Sequence, residues 1–214
     1  MKKTFLLSCL MLAAMPVMAA YTGRVYVDKN KNGVFDPGEK TWAGIKVSDG
    51  LNVVETAADG SFTLPGHERE RFIFITTPSG YKTFNRHYHK IEKKQSGYDF
   101  GLIPYSGRIR KDGSHRYIHI TDTEIFNTEN HADWVNNVRD YARNEQAAFI
   151  IHTGDICYEK GLKAHIKLMN TENMDCPVFY CIGNHDLVKG KYGEELFESI
   201  YGPVYYSFDA GNVH

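Results

Sequence analysis

Three short apolar segments in the second half of the chain restrict the possible fold more than any other feature. They cover residues 117–121, 148–153 and 176–182. The stretches between them, residues 131–146 and a shorter one at about 162–169, have the 3.6-residue periodicity of helices. This alternation predicts a βαβαβ unit with parallel strands and right-handed crossovers. Because parallel sheets carry their functional groups at the carboxyl ends of the strands, we expect a site there.

Each of the three predicted strands is followed by side chains that bind metals or transfer protons. In chain order these side chains are Asp122 and Glu124, then Asp155, then Asn184, His185 and Asp186. Asp122 and Asp155 are 33 residues apart, and Asp155 and Asn184 are 29 residues apart. Each interval matches one βαβ unit, so the three groups are predicted to lie side by side at one edge of the sheet.

These motifs resemble those of the calcineurin-like metallophosphoesterase superfamily. The first half of its catalytic domain reads Asp-x-His, Gly-Asp-x-x and Gly-Asn-His-Asp/Glu at the corresponding strand ends. The resemblance covers roughly residues 117–214. It implies a hydrolase of small-molecule or macromolecular phosphate esters that uses two divalent metals (Mn, Fe or Zn), a bridging hydroxide and a histidine acid.

The resemblance also implies a role for each residue. Asp155 would bridge the two metals, Asp122 would bind the first metal, and Asn184 would bind the second. His185 would give a proton to the leaving oxygen of the ester, and Asp186 would orient the His185 ring.

Two features depart from the family pattern. Glu124 stands where the family has histidine, so either Glu124 is an oxygen ligand, which favours a harder metal such as Mn, or one ligand is lost. The family also takes histidine ligands from later motifs, including Gly-His-x-His, and none precedes His214. Residues 205–214 are interpreted as one more strand that stops before the element is complete. We therefore expect residues 117–214 to be the amino-terminal part of the domain, and the 214-residue chain alone to be inactive.

The first half of the chain has a different pattern of apolar and polar residues. Residues 21–103 contain short alternating runs separated by turn residues, which predicts a small β-sandwich. Residues 104–116 combine glycine and serine with basic residues and are interpreted as a linker. The predicted fold class is thus an incomplete α/β phosphoesterase sheet preceded by a small all-β sandwich domain.

Residues 28–39, DKNKNGVFDPGE, match the twelve-residue calcium-loop template at every specified position. A calcium ion requires six to eight oxygen ligands, and Gly33 permits the sharp turn that brings them together. The predicted ligands are Asp28, Asn30, Asn32, the carbonyl of Val34, Asp36 and Glu39. Residues 21–64 resemble the calcium-binding B-type repeats of bacterial surface adhesins, which implies a structural calcium ion; the alternative is an Asn-Gly turn without an ion.

Residues 1–20 have the layout of a secretory signal: two lysines, a short apolar stretch and small residues at the end. This predicts a protein exported to the periplasm or cell surface, with no transmembrane segment after cleavage. Cys9 follows Lys3 too closely to leave the apolar region of a lipoprotein signal. With 25 basic and 26 acidic residues, the chain has a formal net charge of -1 and no evident basic patch in its sequence, so neither feature predicts binding of nucleic acid.

A second function from a different class is also compatible with these residues. The chain could belong to a non-catalytic, calcium-stabilised surface or binding protein whose phosphatase domain has degraded. Glu124 and the missing histidines favour this alternative, whereas the intact Asp155, Asn184, His185 and Asp186 favour the enzyme. Turnover of an aryl phosphate with added manganese distinguishes the two.

Overall fold

The computed structural model describes residues 20–95, 97–105, 108–188 and 190–214. The predicted signal peptide, apart from its last residue Ala20, lies outside the described residues, and so does Cys9. None of the helices within those ranges is both long enough and apolar enough to cross a membrane.

The first part of the chain forms two four-stranded sheets. Their strands are β1 (Ala20–Val27), β2 (Lys46–Ser48), β3 (Val53–Glu55), β4 (Ser61–Pro65), β5 (Phe72–Ile75), β6 (Tyr81–Thr83), β7 (Tyr88–Lys90) and β8 (Phe100–Pro104). One sheet has the order β4-β1-β8-β6 and the other the order β3-β2-β5-β7. The β1–β8 pair is parallel and the remaining pairs are antiparallel.

Apolar side chains from both sheets meet in one buried cluster. Val25 and Leu64 reach it from the first sheet, and Val47 and Ile73 reach it from the second. All four are fully buried, and each contributes about 1.5–3 kcal/mol relative to an exposed side chain. Alternation in β4, where Phe62 and Leu64 are buried between more exposed neighbours, is typical of a strand with one face on a core.

The second part of the chain alternates strands and helices. Its elements are β9 (Ile118–Ile120), α1 (Ala132–Asn144), β10 (Ile150–His152), α2 (Glu159–Leu168), β11 (Val178–Tyr180), a 3₁₀ turn (Asn184–Asp186) and α3 (Glu195–Tyr201). The three strands form a parallel sheet in the order β11-β10-β9. The βαβαβ order expected from the sequence is present, and this mixed α/β structure is compatible with a phosphoesterase fold.

Helix α1 covers the sheet through a short apolar stripe. Val135 and Ala142, seven residues apart, are the buried positions of α1, and they pack in one cluster with Ile150 of β10 and Val178 of β11. A spacing of seven residues places two side chains on the same face of a helix. The helix thereby holds β10 and β11 in position, and the loops that follow these strands carry the predicted site.

The end of the chain differs from the sequence-based prediction. The sequence predicts another strand over residues 205–214, but this segment contains only isolated bridges, Thr77 with Phe208 and Ala210 with Val213. Phe208 stacks on Phe179 with ring centroids 3.6 Å apart, and the N–H of Asp209 donates to the carbonyl of Thr77. The segment therefore lies between the two parts of the chain instead of extending either sheet.

The predicted linker also makes tertiary contacts. The Arg108 guanidinium donates to the carbonyl of Ala147 at 3.0 Å and pairs with the carboxylate of Asp175 at 3.0 Å. The two parts of the chain are joined directly by an ion pair between Arg71 and the buried Glu198 at 2.6 Å. Arg108 thus ties the linker to the second part, and Arg71 ties the first part to the second.

Candidate functional site

The predicted site residues lie in three loops at the carboxyl ends of β9, β10 and β11. The N–H of Asp122 donates to the carbonyl of Gly154 at 3.2 Å, which ties the first loop to the second. The N–H of His185 donates to Asp155 Oδ1 at 3.1 Å, which ties the third loop to the second. Asp155 therefore sits in the middle loop and is linked directly to the loop that carries Asn184.

The glycines that precede Asp155 and Asn184 allow the second and third loops to touch. A Cβ on Gly183 would lie 2.2 Å from the N atom of Asp155, and a Cβ on Gly154 would lie 2.6 Å from the N atom of Gly183. No side chain fits at such distances, and Gly154 also has a φ of +95°. Glycine in the Gly-Asp and Gly-Asn-His-Asp motifs is thus required by the close approach of two backbones.

Three of the predicted metal ligands have a left-handed backbone. The φ angles are +53° for Asp122, +48° for Glu124 and +50° for Asp155. Residues other than glycine rarely occupy this region, and each costs about 1–3 kcal/mol of strain that the surrounding contacts must offset. Such strain is concentrated at functional sites, where side chains must point in directions that relaxed backbone does not provide.

Asp186 holds the second and third loops together through backbone hydrogen bonds. Its Oδ1 accepts the N–H groups of Ile156 at 2.9 Å and Cys157 at 3.0 Å, and its Oδ2 accepts the N–H of Gly183 at 2.9 Å. The side chain is fully buried, and desolvation raises the pKa of Asp186 although these hydrogen bonds oppose the rise. In the structure the carboxylate of Asp186 thus binds the backbone and the His185 ring binds Glu124, so the expected role of Asp186 in orienting that ring stays a prediction.

The ring of His185 is held by two residues from other loops. Its Nδ1–H donates to Glu124 Oε1 at 2.7 Å, and the ring of Tyr158 is stacked on it at a centroid distance of 4.9 Å and an angle of 21°. The hydrogen bond to Glu124 is the main cause that raises the pKa of His185, and the nearby charge of Asp155 adds to it. Tyr158 belongs to none of the sequence motifs, and its only signal in the sequence is its position three residues after Asp155.

Two further histidines support the loops from within the sheet. His152 is buried and shares a hydrogen bond of 2.9 Å with the hydroxyl of Thr123, the residue between Asp122 and Glu124. Desolvation lowers the pKa of His152 to about 4, so its ring is neutral at pH 7. His119 shares a hydrogen bond of 2.7 Å with the hydroxyl of Thr153. Both rings therefore hydrogen-bond to threonines of the site loops and help to hold these loops in place.

The donor atoms of the predicted ligands suit a hard divalent cation. Asp122, Glu124, Asp155 and Asn184 offer only oxygen atoms, which match Mg²⁺ and Mn²⁺ better than softer metals. Their carboxylates do not form a group of three or more with ligand atoms within 4.8 Å of one another. Two observations therefore favour a metal site here: the oxygen donors of the predicted ligands and the contacts between the three loops that carry them.

One group in the described part of the chain does meet that distance: Asp49, His67 and Glu70, in the first part of the structure. The Nδ1 atom of His67 accepts the N–H of Arg69 at 3.1 Å, so the neutral ring carries its proton on Nε2. Nε2 lies 3.4 Å from Asp49 Oδ1. In this ring state Nε2 faces Asp49 without a hydrogen bond, and a metal ion at this group would take the place of the Nε2 proton.

The predicted calcium loop is closed at its start by Asp28, which is fully buried. Asp28 Oδ1 accepts the N–H of Asn32 at 3.2 Å, and Oδ2 accepts the N–H of Gly33 at 2.9 Å. Asn32 Oδ1 accepts the N–H of Val34 at 2.8 Å, and Val34 itself is exposed. The first half of the loop is thus folded around two of the predicted ligand side chains.

The other predicted ligands close the second half of this loop. Glu39 accepts the N–H of Lys29 at 2.9 Å and the N–H of Asp36 at 3.1 Å, so it connects the two ends. Asp36 Oδ2 accepts the side-chain amides of Asn30 and Asn32, each at 2.8 Å. All five predicted side-chain ligands therefore take part in one continuous hydrogen-bonded loop.

Comparison with known families accounts for both parts of the chain. The family described as N terminal of Calcineurin-like phosphoesterase matches residues 29–104, and the family described as Calcineurin-like phosphoesterase matches residues 115–212. A comparison with curated proteins gave no match. The resemblance of residues 21–64 to adhesin repeats stays a prediction. Because the two matches cover seven of the eight strands of the first part and the three site loops of the second, the chain belongs to the calcineurin-like phosphoesterases.

Proposed function

We propose that this chain contributes the first three site loops of an exported, metal-dependent hydrolase of phosphate esters. The observation that carries the proposal is the hydrogen-bonded junction of the three loops, where Asp122 contacts Gly154 and Asp155 contacts His185. The junction lies within the segment matched by the phosphoesterase family, a family that implies divalent metal ions. Export is proposed from the layout of residues 1–20.

The chemistry of the donors suggests how two ions would be shared. Asp122 and Asp155 would hold one ion, and Asp155 and Asn184 would hold the other. When bound, the ions would supply a nucleophile at neutral pH and neutralise charge on the phosphoryl group. The oxygen-only donor set favours Mn²⁺ over Fe²⁺ or Zn²⁺.

The protein's own part in proton transfer falls to His185. Its Nδ1–H is engaged by Glu124, which leaves Nε2 as the ring nitrogen that exchanges a proton with the ester. Donation of this proton to the leaving oxygen avoids the release of an unstable alkoxide or phenoxide, and such acid catalysis contributes about 10²- to 10⁴-fold.

The first prediction is that the full-length protein hydrolyses aryl phosphates in a metal-dependent way. We expect release of p-nitrophenol from p-nitrophenyl phosphate or bis(p-nitrophenyl) phosphate with added Mn²⁺, and loss of release after chelation. Asp133→Asn, at an exposed position in the first turn of α1, is the control and should remain active.

Two outcomes would contradict this proposal. Turnover that persists after complete removal of divalent metals would exclude a metal-dependent site. Metal-loaded protein that binds phosphate esters but releases no product would support the alternative, a non-catalytic binding protein with a degraded phosphatase domain.

We also propose that residues 21–103 form a calcium-stabilised β-sandwich. The supporting observation is Asp28, a fully buried carboxylate whose two oxygens both face backbone N–H groups of the loop. A buried charge without a cation or ion-pair partner is costly, and an ion would compensate it. The adhesin-like resemblance of residues 21–64 points to the same structural role.

The second prediction concerns thermal stability. At a calcium concentration ten times the Kd, binding to the folded loop alone stabilises the protein by about 1.4 kcal/mol. For a protein of this size the Tm should rise by roughly 3–6 °C, as measured by calorimetry of the full-length protein. Asp28→Asn and Glu39→Gln should remove the rise, whereas Asp59→Asn, at an exposed turn outside the loop, should retain it. A melting curve that calcium does not change would favour the ion-free turn.

A further inference from the structure

The carboxylate of Glu124 forms a hydrogen bond with one particular atom of the His185 ring, Nδ1. Glu124 Oε1 lies 2.7 Å from His185 Nδ1, and an ionised carboxylate can only accept a hydrogen bond. The proton of the neutral ring is therefore on Nδ1, and the lone pair is on Nε2. Free histidine exists as a mixture of two tautomers, so this contact selects one ring state and one ring orientation.

The Tyr158 ring provides a second restraint in a different direction. It stacks on His185 at 4.9 Å between centroids and at 21° between planes, whereas the hydrogen bond to Glu124 lies at the edge of the ring. Stacking by Tyr158 limits tilting of the His185 ring, and the hydrogen bond to Glu124 limits rotation of the ring about its Cβ–Cγ bond. The backbone of His185 is anchored separately, through its N–H to Asp155.

The other nearby carboxylates are engaged elsewhere. Asp186 accepts three backbone N–H groups, and Asp155 Oδ1 accepts the backbone N–H of His185. In the described ranges of the chain, Glu124 is thus the only carboxylate that pairs with the ring of His185. Its side chain comes from the loop after β9, 61 residues earlier in the chain.

The backbone around Glu124 is built to hold this position. Glu124 has a φ of +48°, an unfavourable conformation for a residue with a long side chain. On one side, Thr123 is bound to the buried His152, and on the other, Ile125 is fully buried. These neighbours fix the strained residue, so the direction of its side chain is set by the fold.

We propose that Glu124 is a positioning residue for His185, and that Tyr158 assists it by stacking. The proposal rests on the proposed function, because it assigns how the proton donor of that reaction is oriented. It also gives a reason for the departure from the family pattern at this position: glutamate replaces a ring ligand and acts on His185 through its carboxylate, so metal binding does not require it.

The direct test is the tautomer of His185 in the metal-free, full-length protein. Nitrogen-15 NMR at a pH at which the ring is neutral should show the proton on Nδ1. In Glu124→Ala the Nε2–H form should become substantially populated, and Glu124→Gln should keep part of the Nδ1–H form because an amide oxygen can accept the same bond. A wild-type ring protonated on Nε2 would overturn the proposal whether or not the protein is an enzyme.

The kinetic test uses esters with different leaving groups. An acid that protonates the leaving oxygen matters for phenyl phosphate and hardly matters for 2,4-dinitrophenyl phosphate. Glu124→Ala should lower kcat for phenyl phosphate about 10- to 100-fold and leave kcat for the dinitrophenyl ester within a few-fold, with KM unchanged. Tyr158→Ala should show the same selectivity more weakly, and Tyr158→Phe, which keeps the ring, should resemble the wild type.

Metal analysis separates positioning from ligation. If Glu124 positions His185, Glu124→Ala should bind as much Mn²⁺ as the wild type, and Glu124→His should not increase the metal content. Loss of metal in Glu124→Ala, or equal losses of kcat for both esters, would overturn the proposal. Failure of the proposed function would look different: the wild type would hydrolyse neither ester, although the NMR tautomer would still report on the contact.

Discussion

Asp155→Asn is expected to reduce phosphate-ester hydrolysis by at least about 10³-fold while the protein remains folded. The asparagine oxygen can still accept the N–H of His185, so the contact between the second and third loops is retained. The substitution removes the negative charge that two cations would share in the proposed site. A loss of this size corresponds to about 4 kcal/mol of transition-state stabilisation, which is within the several kcal/mol that metal-ion catalysis supplies.

The measurement combines turnover with metal content in the full-length protein. Asp155→Asn should lose both, whereas His185→Ala should keep its metal and lose about 10²- to 10⁴-fold in kcat through the missing acid. Asp133→Asn, which changes an exposed aspartate of α1 in the same way, should lose neither. Wild-type activity in Asp155→Asn would remove Asp155 from the proposed site and leave the three loops without a shared ligand.

The order of the strands and helices in the second part could be predicted because its signals are local. Val135 and Ala142 are seven residues apart in α1, and the apolar runs of β10 and β11 are bounded by polar residues. Strand ends meet at one sheet edge in any parallel βαβαβ unit, so the clustering of the polar motifs follows from chain order alone. The helix boundaries differ from the predicted ones by a few residues, as is usual for elements whose ends carry no strong cap.

The partners of individual side chains could not be predicted, because they depend on tertiary approach. The family resemblance implies that Asp186 orients the His185 ring. In the 3₁₀ turn, however, its carboxylate faces the backbone of the neighbouring loop. Glu124 reaches the ring from a residue 61 positions away, and Tyr158 reaches it from the second loop. No periodicity or spacing in the sequence records such a contact.

The final segment was mispredicted for a similar reason. An apolar and aromatic run such as residues 205–208 fits a strand by composition, but a strand needs a free neighbour with which to pair. Here Phe208 stacks on Phe179, and the adjacent backbone bonds to Thr77 of the first part. The packing between the two parts of the chain therefore decides the conformation of this segment.

Asp186→Ala is expected to have the largest effect on stability. The substitution leaves the N–H groups of Ile156, Cys157 and Gly183 without their acceptor, and the first two belong to buried residues. An unsatisfied buried donor costs about 1–3 kcal/mol, so the sum should be at least about 3 kcal/mol. For a protein of this size that loss lowers the Tm by roughly 6–12 °C.

Urea and thermal unfolding of the full-length protein test this role, with Asp186→Asn as the informative second variant. Its amide oxygen can still accept the N–H groups of Ile156 and Cys157, but its NH₂ group would face the N–H of Gly183, so we expect an intermediate loss. Asp140→Ala, which removes only the two exposed ion pairs with Arg139 and Arg143 on α1, should cost less than about 1 kcal/mol. Wild-type stability in Asp186→Ala would show that these hydrogen bonds do not hold the loops together.

The effect of Asp186→Ala on function follows from the same contacts. Asp186 joins the loop of Asp155 to the loop of Asn184 and His185, so its loss should lower metal affinity as well as turnover. This effect is expected although Asp186 contacts neither metal nor ester in the proposed mechanism.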